Sequence, residues 1–173
     1  MVVNGWRLFA HPLFTRQLER LVSQVEALAV QTPETFKNHP ATKLLATIKR
    51  YILEIIPADP NAAEFRQGNT LGPDNRHWFR AKFHDRYRLF YRFSSQDKVI
   101  IYAWVNDQDS LRKAGAKTDP YTIFQSMLAA GDPPSSMAQL MNISKEMTEK
   151  DSGSGSSSKE RKVKRTAQKL RDS

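Results

Sequence analysis

Residues 78–105, WFRAKFHDRYRLFYRFSSQDKVIIYAWV, decide how this chain folds. Three runs rich in aromatic and β-branched residues (Trp78 to Phe83, Arg86 to Phe93, Lys98 to Val105) are separated by His84-Asp85 and by SSQD. Connectors that short join antiparallel neighbours, so the stretch reads as a three-stranded meander. VIIYAWV is apolar at both parities, which places the third strand at the centre of the sheet.

Outward from the meander, helices appear on both sides. On the N-terminal side GWRLFAH reads as a short strand with Trp6, Leu8 and Ala10 on one face, ended by Pro12. Between Leu13 and Val30 the residues Leu18, Leu21, Val22, Val25, Leu28 and Ala29 recur at helical spacing. After Pro40, Leu44, Leu45, Ile48, Tyr51, Ile52 and Ile55 form a second stripe, closed by Pro57 and Pro60. A loop rich in Gly, Pro and Asn (Gly68 to Asn75) leads into the meander. On its C-terminal side Pro120 to Ala130 fits an amphipathic helix capped by Asp119, with Tyr121, Phe124, Met127 and Leu128 as contact positions and Gly131 as the stop. The expected order is β-αα-βββ-α: an α+β fold in which an antiparallel sheet with an N-terminal strand carries a helical hairpin and a C-terminal helix.

The chain has 173 residues and no cysteine, which excludes a disulfide framework, thiolate metal sites and a cysteine nucleophile. No basic segment followed by an apolar run opens it, and no uncharged stretch is long enough to span a bilayer, so a cytoplasmic location with no membrane partner is expected. Residues 1–147 form the expected domain. From residue 148 to 173 the chain becomes a Gly/Ser linker and a basic tail, expected to be disordered and to be dispensable for catalysis. The formal net charge of +9 divides between them, with nineteen Lys/Arg against fourteen Asp/Glu in residues 1–147 and eight against four beyond. A basic balance in both parts points to polyanions, and among these to nucleic acid.

Alternation sorts the cations onto one face. Trp78, Arg80 and Lys82 oppose Phe79, Ala81 and Phe83, while Arg86, Arg88, Phe90 and Arg92 oppose Tyr87, Leu89, Tyr91 and Phe93. Five cations on one hairpin face repel one another unless an anion lies between them, which suggests a phosphate-binding surface. Trp78 and Phe90, interleaved with them, are placed to stack bases, with the opposite face packing on the helices. Neither a Gly-rich phosphate loop nor HExxH occurs, and the four histidines lack metal-ligand spacing, so neither cofactor nor metal is expected. His77 and His84 bracket a strand as candidate acids or bases.

The segments KFHDRYRLFYRF, VIIYAWVNDQDSLRKAGAKTDPYTIF and NGWRLFAHP resemble the YhaV group of the RelE superfamily over roughly residues 4–135. The resemblance implies a RelE-like toxin of a type II toxin-antitoxin system, an endoribonuclease in which the ribose 2′-OH of messenger RNA attacks the adjacent phosphate without a metal. It implies that Arg88 is the central phosphate-binding arginine and that Arg80 and Lys82 are its paired basic positions. It further implies that Arg112 helps protonate the leaving group and that Tyr121 acts as base. Arg86, Arg92, Trp78, Lys113 and Lys117 are then the expected RNA contacts. The implied partners are mRNA, on or off the ribosome, an AbrB-like antitoxin covering the basic face, and operator DNA reached through the toxin-antitoxin complex. A non-catalytic corepressor using the same face is the alternative.

Overall fold

The computed structural model describes residues 1–151. Its central strand is β5 (Val99–Val105), buried along its whole length as its unbroken apolar run requires. Antiparallel to it runs β4 (Tyr87–Ser94), and antiparallel to β4 runs β3 (Phe79–Phe83), so the meander forms as expected. On the other side of β5 lies β2 (Trp6–Ala10), pairing Leu8 with Ile100 and Phe9 with Ile101. This pairing is parallel, which makes the sheet mixed. A parallel partner needs a long crossover, and the two helices between residues 12 and 50 with the first two meander strands supply one. Side-chain alternation reports faces, not strand direction, so the sequence carried no sign of it. Two further short strands, β1 (Val2–Val3) and β6 (Lys145–Glu146), cover the outer edge of β2.

The helical hairpin is set by one device used twice. His11 and His39 each precede a proline and accept, through Nδ1, the backbone N–H two residues on, 3.1 Å away in both cases. The prolines take the first position of α1 (Pro12–Gln31) and α2 (Pro40–Arg50), where a missing N–H costs nothing. Beyond Arg50 the helix widens into a π turn (Tyr51–Ile55) before the short α3 (Ile56–Ala58). In this π register the partner of the Ile52 carbonyl would be the N–H of residue 57, which proline lacks. The Tyr102 hydroxyl donates to that carbonyl instead, at 2.7 Å.

Both faces of the sheet are covered. On one, Leu8, Phe14, Leu18, Ile48, Ile52, Leu89, Tyr91 and Tyr102 join the sheet to α1 and α2. On the other, Trp78, Phe90, Ile101 and Trp104 pack against Phe124 and Leu128 of α4 (Pro120–Ala129) and Leu140 of α5 (Met137–Ile143). The second face is the one expected to lie open as a basic surface. Met147 is buried after β6, and Thr148 to Asp151 close a turn in which the Thr148 N–H donates to the Asp151 carboxylate at 2.6 Å. Of the expected linker and tail, residues 152–173 lie outside the described residues. Among the described residues no helix is long and apolar enough to cross a membrane.

Candidate active site

The β3–β4 register puts Lys82 opposite Arg88 and Arg80 opposite Phe90. Paired residues share a face, so the cations sort as alternation requires. What covers them is α4. Asp119 caps it, its Oδ1 accepting the Tyr121 N–H at 3.0 Å, and this sets Tyr121 in the first turn above the hairpin. Further along α4, Phe124 stacks on Phe90 with ring centroids 4.3 Å apart and meets Trp78 edge-on at 5.1 Å, fixing the helix against the sheet.

The Tyr121 hydroxyl then falls between two guanidiniums. Arg80 Nε donates to it at 2.8 Å and Arg88 Nε at 3.1 Å. Each arginine is anchored behind this contact by main-chain carbonyls. Arg80 Nη1 donates to Glu64 and Arg66 at 3.0 and 3.3 Å, and Arg88 Nη1 donates to Asp85 and Tyr87 at 2.9 and 2.8 Å. The β3–β4 turn makes the latter contact: His84 and Asp85 adopt φ of 46° and 57°, a left-handed conformation that costs a non-glycine residue roughly 1–2 kcal/mol. Both arginines are only 7% exposed, yet neither forms an ion pair with a carboxylate among the described residues. Neither Nη2 has a hydrogen-bond partner there, and neither is sealed from solvent. Burying a cation without an anion costs several kcal/mol. Two such cations side by side, each with its Nη2 unused among the described residues, form a site prepared for an anion.

Arg112 differs from these two. It pairs with the buried Asp119 carboxylate, whose Oδ2 also accepts the Lys113 N–H at 2.8 Å, and its guanidinium lies over the Tyr121 ring, 5.0 Å from the centroid. Main-chain and side-chain bonds between Arg86 and Arg112 tie this loop to β4. The structure thus gathers Arg80, Arg88, Arg112 and Tyr121 in direct contact, with Lys82 exposed across from Arg88. The side chains of Arg86, Lys113 and Lys117 are exposed around the loop that leads into α4.

Two expected RNA contacts are not brought in. Trp78 is fully buried under Phe124, and Phe90, expected to stack bases beside it, is fully buried as well, so neither offers a ring face to a base. An aromatic residue between cations reads the same in sequence whether a base or a helix covers it. Arg92 lies over the Trp78 ring at 5.7 Å and donates to the Ser135 carbonyl, clasping the α4–α5 connection. Burial lowers its pKa. His77 has its pKa lowered by burial and then by Arg92. His84 turns to α2, 2.8 Å from Thr47 Oγ1. Thr47 gives its one proton to the Lys43 carbonyl, so the imidazole is the donor in that contact.

Sequence reasoning missed Asn106, buried at the end of β5. Its Oδ1 accepts the Arg88 N–H at 2.7 Å, while Nδ2 donates to the Arg86 and Ser110 carbonyls at 3.1 and 2.7 Å, joining the start of β4 to the loop bearing Arg112. An asparagine after a strand has many uses, and nothing local marked this one. Asp119 was legible only as a helix cap; its hold on Arg112 was not.

Comparison with known proteins places residues 8–145 within a family model described as a toxin with endonuclease activity, of a toxin-antitoxin system. The chain is 46% identical over 146 residues to "Toxin YhaV" of Escherichia coli O6:H1, covering 83% of this chain and 95% of that protein. It is 45% identical over 146 residues to "Ribonuclease toxin YhaV" of Escherichia coli K12, with the same coverage. No solved structure gives a significant match.

Proposed function

We propose, from the premise that this chain belongs to the YhaV toxin family and is an endonuclease toxin of a toxin-antitoxin system, that it cleaves messenger RNA at the Arg80–Arg88–Tyr121 site without a metal. The observation that carries the reading is the convergence on one tyrosine oxygen of two nearly buried guanidiniums that pair with no carboxylate among the described residues. The attacking 2′-oxygen turns the phosphodiester into a pentacoordinate phosphorane that bears more negative charge than the ground state. Fixed cations at that place stabilise it selectively, and they need no rearrangement because main-chain carbonyls already hold them. Lys82 adds charge across from Arg88. Arg112, with its own charge paired to Asp119, steadies the Tyr121 ring, and exposed Arg86, Lys113 and Lys117 track the flanking phosphates.

A toxin of this kind has an antitoxin as its partner. In our reading the antitoxin is an AbrB-like DNA-binding dimer that covers the cationic site in the cytoplasm and carries the complex to operator DNA, and ribosome-bound mRNA is one form of the substrate. The test is cleavage of end-labelled RNA by the purified protein, with and without ribosomes and chelator. The expected products end in a 2′,3′-cyclic phosphate and a 5′-hydroxyl at a rate unchanged by EDTA. A 3′-hydroxyl product, or activity lost in EDTA and restored by magnesium, overturns the mechanism.

A further inference from the structure

We infer that Tyr121 meets the reacting phosphate as a hydrogen-bond donor and is not the base that takes the 2′-hydroxyl proton, an inference that rests on the site assignment just proposed. A phenol has two acceptor positions and one donor. Here Arg80 Nε and Arg88 Nε occupy both acceptor positions, at 2.8 and 3.1 Å. Neither donor can turn away, because a guanidinium is planar and the Nη1 of each is fixed on two carbonyls. Nor can the phenol: the Asp119 carboxylate holds the Tyr121 N–H, Arg112 lies over the ring, and Phe90 abuts it at 5.6 Å between centroids, nearly perpendicular. Among the described residues the hydroxyl donates to nothing. Its proton is the capacity left over.

The unused edges of the arginines agree with this assignment. In a guanidinium the Nε–H and one Nη2–H point the same way, so an oxygen lying beside the tyrosine oxygen meets both free Nη2 groups as well as the phenol proton. A non-bridging phosphoryl oxygen placed there receives three donors, each of which strengthens as charge builds in the phosphorane. The bonds balance without a proton leaving Tyr121. The 2′-oxygen–phosphorus bond forms and the phosphorus–5′-oxygen bond breaks, while the 2′-hydroxyl proton passes to water and the 5′-oxygen takes one from water. A base role instead requires the phenol to lose its own proton first, and among the described residues no group accepts it.

The experiment is a pH profile of single-turnover RNA cleavage by the full chain carrying 3,5-difluorotyrosine at position 121, set against the unmodified protein. Fluorination keeps the ring's shape and makes the phenol ionise at lower pH. A donor is lost on ionisation, so the fluorinated protein should match the unmodified one on the acid side and then fall about tenfold per pH unit. A limb that rises with pH, or a profile unmoved by fluorination, overturns the inference. Tyr121→Phe should lose about 10²–10³ in rate; because it also strands two buried N–H groups, the fluorinated protein decides if that variant does not fold. Product ends separate this inference from its parent. Cyclic-phosphate ends with a rising limb overturn the donor role alone, whereas other ends overturn the site reading itself.

Discussion

The two faces of the central sheet are made by the same strands and use buried tyrosines in opposite ways. Under α1 and α2, Tyr91 and Tyr102 donate to the Pro60 and Ile52 carbonyls, at 2.8 and 2.7 Å, and burial pushes the pKa of both upward. Their hydroxyl protons are committed, and the surroundings favour a neutral, closed interior. Under α4, Tyr121 accepts from two cations and keeps its proton free. Strand β4 serves both faces, with Leu89 and Tyr91 on one and Arg88 and Phe90 on the other. The second face also holds two guanidiniums that pair with no carboxylate among the described residues. Both faces carry stability but only one carries the chemistry, and variants can test that division.

The largest stability effects should come from emptying either core. Phe124 and Ile52 are both fully buried, so Phe124→Ala should cost about 3–5 kcal/mol and Ile52→Ala about 2–5 kcal/mol. Their effects on cleavage should differ. Phe124 seats α4 one turn beyond Tyr121, so its loss should also slow single-turnover cleavage by the folded protein, while Ile52→Ala should leave that rate unchanged. Melts and rates measured where both variants remain folded check this, and equal rates would break the comparison.

A smaller effect concerns His11, where β2 passes into α1. It is 2% exposed, caps α1 through Nδ1, and holds Nε2 3.4 Å from Asp132. Burial lowers its pKa below the ordinary 6.5, with Asp132 opposing the shift. A group depressed in this way binds its proton more readily when the chain is unfolded. Its contribution to stability is complete above the unfolded value and is lost as pH falls through the folded one. The melting temperature should therefore fall between pH 7 and 5, and His11→Asn, which keeps a cap acceptor, should fall less. Parallel curves would remove His11 as the source.

How far the sequence was legible follows the same division. The meander and the sorting of Arg80, Lys82 and Arg88 onto one face were readable because period-two alternation is local, whereas the register, with its shift between Phe90 and Tyr91, was not. The starts of α2 and α4 were readable too, where Pro40 and the Asp119–Pro120 pair act within two residues, while the histidine caps of α1 and α2 were not. The parallel pairing of β2 with β5 was not readable, because it joins segments about ninety residues apart and alternation carries no direction. That α4 covers the cationic face was equally hidden: Trp78 and Phe90 read as ring faces for bases and turned out to be the seat of a helix. Arg112 was picked out by resemblance, but its pairing with Asp119 exists only once the loop between them has folded.

The central claim is that catalysis belongs to a defined cation pair and not to a diffuse basic face. Arg88 and Arg92 sit on the same strand, one bonded to Tyr121 and the other clasping Ser135 over Trp78, so comparing Arg88→Ala with Arg92→Ala tests the claim most directly. Single-turnover RNA cleavage should fall about a hundredfold for Arg88→Ala, the rate equivalent of about 3 kcal/mol lost at a charged transition state, in a protein whose melt shows it folded. Arg92→Ala should lower the melt and weaken RNA binding while leaving the rate at saturating RNA near that of the unsubstituted protein. Near-normal cleavage by folded Arg88→Ala, or equal losses from both variants, would contradict the account.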